Sequence, residues 1–295
     1  MRYHERTKHQ FHRYAPGPGR LDWANQPDPF RRYEGAALAR LPVLGADEEP
    51  RSPSYESLFV SGALAAAPVT IRTLSRFFEY SLALSAWKQV GAMRWALRAN
   101  PSSGNLHPTE GYLLTGALRG LAEEPGLFHY APKEHRLERR ADCPQELFAR
   151  LMRGFPPQAF LVGLSSVHWR EAWKYGARAF RYCQHDAGHA LGALRIAAAT
   201  LGWSAVVLEG LADATIEALL GLDRDADFED AERENAELVM ALWPGNAATK
   251  TPNPDPDAVR ELTRQRWHGK ANRLSPQAPV PWEIIEQVSR ASRKP

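Results

Sequence analysis

The chain has 295 residues, 44% hydrophobic and 24% charged, with a formal net charge of +3. That length allows one large domain or two small ones around a sizeable core, in an ordinary globular mixture. Acidic and basic residues are interspersed without a basic stripe, which speaks against nucleic acid as a partner.

The N-terminus, Met1-Arg-Tyr-His-Glu-Arg, lacks the apolar stretch of a signal peptide, and no run is long enough to span a bilayer. Cys143 and Cys183 stand alone, without a Cys-x-x-Cys pair. No membrane partner and a cytoplasmic location are therefore expected.

Residues 1–55 are rich in Pro, Gly and Arg and lack periodicity, yet Trp23, Phe30 and Tyr33 give them something to bury. They read as an extended, ordered arm. Over residues 69–98, Ile71, Leu74, Phe77, Phe78, Leu82, Leu84 and Trp87 recur at helical steps, with Thr70 as N-cap. A polar loop ends that helix. Strands are predicted at 111–116, at 127–130 and 136–139 as a hairpin, and at 159–164. Helices follow at 177–201 and 213–220, stopped by Gly202 and Gly221. Residues 237–243 read as a buried strand. Residues 246–295 form a Pro-rich C-terminal arm with a short helix at 282–290, and 56–245 the domain between the arms. Helices interspersed with strands, and hairpins among the strands, predict an α+β fold.

The polar loop Arg98-Ala-Asn-Pro-Ser-Ser-Gly-Asn-Leu-His-Pro-Thr-Glu110 concentrates two hydroxyls (Ser102, Ser103) and an amide (Asn105). Pro101 and Pro108 restrict its backbone and Gly104 permits a sharp turn, so its polar groups are held in place. By itself it is a rigid polar turn. A second segment, Leu201-Gly-Trp-Ser-Ala-Val-Val-Leu-Glu-Gly-Leu211, follows about a hundred residues later and leads into a helix ending Leu-Leu-Gly-Leu222. A third is Trp173-Lys-Tyr-Gly-Ala-Arg-Ala-Phe-Arg-Tyr182, running into Asp186-Ala-Gly-His-Ala190.

The first two segments, in this order and at this spacing, resemble the flavin-binding loop and the Glu-Gly crossing of the nitroreductase superfamily. The third is similar to the Lys-Tyr-Gly-x-Arg segment of its azoline-oxidising, SagB-type dehydrogenases. The resemblance covers roughly residues 55–245. It implies a nitroreductase-like α+β fold with a central, mainly antiparallel sheet flanked by helices. It implies FMN as cofactor, with Ser102, Ser103 and Asn105 of the Pro101 loop on the ribityl chain and ring edge. It also implies a backbone amide near Glu209-Gly210 close to flavin N5, and a homodimer with two sites at its interface. The chain resembles the first half of longer relatives carrying two such domains, whose internal pairing a homodimer would replace.

The family's Arg-Arg-Ser-x-Arg phosphate box is missing: its equivalent, Ser54-Tyr-Glu-Ser-Leu-Phe59, holds no arginine. Arg6 and Lys8, or Arg98 just before the loop, are the candidate cations, and a solvated basic N-terminus accounts for the former equally well. By the same resemblance, Lys174 and Tyr175 are the catalytic base and its partner. A lysine desolvated beside a phenol can be tuned to accept a proton while hydride leaves a substrate. From the residues alone, a surface lysine and a core tyrosine at a helix start fit as well.

His185 and His189 share a helix face without a third ligand, which favours packing over a metal. Trp87 and Trp203 suit the core as readily as a flavin face. The expected activity is hydride transfer between a small-molecule or peptide substrate and FMN. NAD(P)H-dependent reduction of nitro or quinone compounds is one alternative, and a non-catalytic flavin-binding scaffold another.

Overall fold

Two strands at the centre of the molecule, Thr109–Thr115 and Phe160–Ser166, are buried along their whole length. Such continuous apolar runs arise when both sheet faces are covered. The computed structural model describes residues 2–60, 62–245 and 252–295. The expected C-terminal arm thus begins outside the described residues.

In chain order, α1 (Arg2–Thr7), β1 (Tyr33–Glu34) and β2 (Leu38–Arg40) belong to the N-terminal arm. Helix α2 (Ile71–Ser81) precedes a hairpin of β3 (Leu84–Val90) and β4 (Met93–Arg98). Then come β5 (Thr109–Thr115), β6 (Gly126–Ala131), β7 (Arg136–Asp142), α3 (Gln145–Leu151), β8 (Phe160–Ser166), α4 (His168–Tyr175) and α5 (Ala179–Thr200). The chain continues through β9 (Trp203–Val207), α6 (Asp213–Leu220), α7 (Asp225–Phe228) and β10 (Asn235–Pro244). It ends with α8 (Pro256–Thr263), β11 (Lys270–Ala271) and α9 (Glu283–Ala291).

Seven strands form one sheet in the order β2-β7-β6-β5-β8-β10-β9, with every neighbouring pair antiparallel. The expected α+β class with a central antiparallel sheet is what the chain adopts. Alternation along the strands feeds two cores. Leu113, Val162 and Leu164 meet Phe77, Phe78, Ala190 and Leu194 of α2 and α5 on one face. Tyr112, Leu114 and Leu161 meet Ile216, Leu220, Ala258 and Leu262 of α6 and α8 on the other.

The helix expected over 69–98 is corrected. It starts at the Thr70 cap, reinforced by reciprocal Thr70–Thr73 bonds, but stops at Ser81. Residues 84–98 are instead an antiparallel hairpin closed between Val90 and Met93, where Gly91 takes φ +57°. A two-residue loop with a positive-φ glycine matches the twist of a hairpin. Leu84 and Trp87 mimic helical spacing, yet Trp87 is 44% exposed and no second face covers it.

The arms pair with each other, Tyr33 of β1 opposite Ala271 of β11. Arg31 anchors this junction, donating to Glu234 at 3.2 Å and to the carbonyls of Asn272 and Glu232. Tyr33 is buried, and its hydroxyl meets that of Tyr112 at 2.7 Å and donates to the Glu234 carboxylate at 3.0 Å, so this part of the N-terminal segment packs into the core.

Candidate functional site

The Pro-Ser-Ser loop spans the turn between β4 and β5, and its polar groups are held from within. Ser102 Oγ donates to Asp186 of α5 at 2.8 Å, Ser103 N at 2.9 Å and Ser103 Oγ at 3.0 Å. Ser102 Oγ in turn accepts the His107 amide at 2.8 Å. Asn105 Nδ2 donates to the Ala96 carbonyl, and its Oδ1 accepts from His107 Nε2 at 2.9 Å. Burial, then the charges of Arg98 and Arg170, lower the His107 pKa to about 2, so its ring is neutral. The hydroxyl protons of both serines therefore point into the protein. Toward a ligand the loop offers the Ser103 lone pairs and the second amide proton of Asn105. Gly104, Asn105 and His107 all have φ between 51° and 61°, so the loop holds left-handed turns that a less constrained segment would relax.

Lys174 and Tyr175 occupy the last turn of α4, not a helix start, and the chain reverses at Gly176, φ +53°. That reversal brings both against the serine loop. Lys174 Nζ lies 3.4 Å from the Gly104 carbonyl. A Cβ at residue 104 would lie 2.5 Å from Tyr175 Oη and 2.9 Å from Lys174 Nζ, so only glycine permits the approach. Tyr175 packs on Tyr182 at 4.4 Å between ring centroids, and Arg178 lies over both rings. Burial pushes the Tyr175 phenol up to about 12, which keeps it a proton donor.

Two arginines of the same segment complete this corner, and reading Lys174-Tyr175 alone misses them. Arg181 donates to Thr7 Oγ1 at 3.1 Å, while Arg178 meets His9 at 2.9 Å, so α1 lies against the start of α5. Among the described residues, the Nε atoms of Arg178 and Arg181 are buried without a partner. Arg6 is exposed on α1, and Lys8 pairs with Glu5 at 2.9 Å. Arg98 is buried away from this corner. It donates to the carbonyls of Thr109 and Pro29, and burial lowers its pKa to about 10. It braces the loop from behind.

Glu209 and Gly210 follow β9 and are met by the C-terminal arm. Lys294 donates its ammonium to the Glu209 carbonyl and its amide to Asp213 at 3.0 Å, while Arg293 pairs with Glu217 at 2.6 Å. A Cβ at residue 210 would lie 2.2 Å from Asn253 Nδ2. Among the described residues, no hydrogen bond joins this segment to residues 102–105.

Beside Lys174 opens a cavity of about 720 Å³, walled by Trp23, Phe30, Trp87, Trp95 and Trp173, with Gly104 and Asn105 at its edge. Its size and aromatic lining are those of a small-molecule pocket. Trp203 belongs to the core, 4% exposed against Phe77 and Phe160. Among the described residues no three His, Cys, Asp or Glu side chains converge as metal ligands, and no helix is long and apolar enough to cross a membrane.

Comparison with known proteins fits this geometry. Residues 86–231 match the nitroreductase family. A protein from Anabaena variabilis described as a nitroreductase has a similar structure, with a TM-score of 0.60 at 24% identity, over 90% of this chain and 54% of that one. The chain thus spans about half the length of that relative. A second, from Ralstonia eutropha and also described as a nitroreductase, gives a TM-score of 0.50 at 16% identity, over 79% of this chain and 99% of that one. The E. coli microcin synthetase McbBCD complex with truncated pro-MccB17 bound gives 0.47 at 19% identity, over 70% of this chain and 79% of that one. No curated protein matches the chain. Residues 86–231 are thus similar to the nitroreductase family, and the chain has the nitroreductase fold.

Proposed function

We propose that the chain is an FMN-dependent oxidoreductase, a dehydrogenase of the SagB type in which Lys174 is the base and Tyr175 its partner. The observation that carries this reading is the contact at Gly104, where two segments 70 residues apart bring Lys174 and Tyr175 onto the Pro-Ser-Ser loop.

The residues present fit an FMN group. Two buried guanidinium Nε atoms, on Arg178 and Arg181, that lack partners among the described residues suit its phosphate, with Arg6 of α1 and Lys8 just after it as nearby cations. The Ser103 lone pairs and the free Asn105 amide proton suit ribityl hydroxyls and the ring edge. In a homodimer, the Glu209-Gly210 backbone of one copy would face the serine loop of the other. When bound, FMN supplies the hydride acceptor at N5.

The chain's own residues do the rest. Lys174, at the mouth of the aromatic cavity, takes the substrate proton beside nitrogen. Tyr175, kept protonated by burial, donates a hydrogen bond to a substrate carbonyl and orients what Lys174 meets. Trp23, Trp87, Trp95 and Trp173 hold a small-molecule or peptide substrate against that edge and exclude water from it.

The absorption spectrum of purified protein tests the cofactor: flavin bands are expected, and a colourless protein that takes up no FMN overturns the reading. Bleaching of the flavin by an azoline substrate, lost in Lys174→Ala with FMN retained, supports the dehydrogenase. NAD(P)H oxidation with a nitroaromatic and no such bleaching replaces it with a reductase, and a flavin that turns over in neither assay with a scaffold.

A further inference from the structure

Glu171 lies one helical turn before Lys174 on α4, and it is fully buried. Neither of its carboxyl oxygens receives an N–H or O–H donor among the described residues. Instead its carboxyl lies against that of Asp186 on α5. Asp186 is also fully buried, but its two oxygens accept three donors: Ser102 Oγ, Ser103 N and Ser103 Oγ. The two acids therefore have opposite surroundings. One is a satisfied acceptor and the other has nothing to accept.

An ionised carboxylate without donors is among the costliest groups to bury, and two touching carboxylates repel as well. A single proton removes both problems. On Glu171 it turns an orphaned acceptor into an O–H donor aimed at Asp186, whose remaining lone pairs can take it. Without that proton the helices carrying the two acids would be pushed apart. With two, Asp186 would lose the charge that strengthens its three serine-loop bonds.

We infer that Glu171 and Asp186 share one proton, and that this carboxyl pair pins the Lys174-bearing end of α4 to the Ser102-Ser103 loop. Glu171 is then a positioning residue of the Lys174 site, a role that rests on the function proposed above, whereas the shared proton does not. Burial raises both acids above the usual carboxylate range, Glu171 further because Asp186 adds its negative charge. The other titratable groups facing the pair are Lys174 and Tyr175 on α4, and Cys183 and His189 on α5. Of these the Cys183 thiol is pushed well up by burial and the Tyr175 phenol to about 12, so neither supplies negative charge at neutral pH.

Infrared spectroscopy of the full chain at neutral pH tests the pair directly. The protein should show a protonated-carboxyl C=O stretch that Glu171→Gln removes, together with a loss of about one proton taken up on folding, read from the pH dependence of stability. Because the glutamine amide can still donate to Asp186, amide exchange in residues 99–108 should stay near wild type in Glu171→Gln and rise at least about tenfold in Glu171→Leu, where that donor is lost. If the glutamine variant does not fold, Asp186→Asn carries the test: burial keeps Glu171 protonated, but the band shifts in frequency because the acceptor of its O–H changes from a carboxylate to an amide. No such stretch in the wild-type protein, or one that Glu171→Gln leaves in place or Asp186→Asn leaves unshifted, overturns the inference. The band needs neither flavin nor turnover. A colourless protein that shows it loses the flavin reading and keeps the carboxyl pair, and a yellow protein without it does the reverse.

Discussion

Asp186 of α5 accepts both the amide and the hydroxyl of Ser103, at 2.9 and 3.0 Å, so one buried carboxylate fixes the orientation of the loop that faces the site. The hydroxyls expected to reach outward are turned inward by it. Asp186→Ala leaves Ser102 Oγ, Ser103 N and Ser103 Oγ without their acceptor. The expected cost is about 2–3 kcal/mol of stability, the scale of buried polar groups losing a charged partner. Chemical denaturation of the variant against wild type measures it, and an unchanged midpoint would contradict the role given to Asp186.

Gly104 should tolerate no side chain. Gly104→Ala must displace Tyr175 Oη or Lys174 Nζ and hold an alanine at φ +60°. The left-handed alanine alone costs about 1–2 kcal/mol. On the proposed function, turnover should fall by at least about tenfold while flavin content changes little. Equal loss of both would mean that the residue serves the fold and not the Lys174 approach.

Arg178 and Arg181 are expected to hold the flavin phosphate. Removing one charge-assisted bond costs roughly 1.5–3 kcal/mol, which corresponds to about 10- to 100-fold weaker binding. Titration of apo-protein with FMN, read by flavin fluorescence, should show that weakening for Arg181→Ala and much less for Lys8→Ala, whose ammonium already pairs with Glu5. Equal effects of the two variants would place the phosphate elsewhere on α1.

One buried and two half-buried histidines should make the fold acid-sensitive. Burial lowers His135 and His168 to about 4, and burial with two nearby arginines lowers His107 to about 2. A histidine whose folded pKa lies below its unfolded value contributes stability that is present above about pH 6.5 and is lost as pH falls toward the folded pKa. For His135 the full effect is on the order of 3 kcal/mol. His129 works in the opposite sense, since its hydrogen bonds to the Glu110 and Glu138 carboxylates outweigh its burial and raise it, so its contribution is lost at higher pH. Thermal unfolding between pH 7 and 4 should show the decline, and His135→Gln should flatten it.

The aromatic cavity should act on substrate rather than cofactor. Trp23 lines it while 66% exposed and makes an edge contact with Trp173 at 5.2 Å, so its removal leaves the core intact. Trp23→Ala is expected to raise KM several-fold and to leave Tm and FMN content unchanged. A fall in Tm of several degrees would instead make Trp23 a structural part of the arm.

Much of this fold is legible from the sequence because the signals are local. Thr70 caps α2 with its own side chain, helices α5 and α6 stop within two residues of the glycines that end them, and β8 reads as an apolar run because both its faces are buried. Helices α3 and α4 escape such a reading because Pro144 and Val167 stand at their starts and no side chain caps either one. The hairpin of β3 and β4 escapes it because its apolar residues fall at helical intervals by coincidence.

By itself the sequence determined the α+β class, the hairpin of β6 and β7 and the three segments that carry the family resemblance, since each depends on neighbours within a dozen residues. Only the tertiary structure decided which of those segments meet. It placed Lys174 and Tyr175 on Gly104, turned the serine hydroxyls toward Asp186 and left Glu209-Gly210 with the C-terminal arm. Contacts across 70 or more residues are set by how α4, α5 and the sheet pack, and no local propensity encodes that packing.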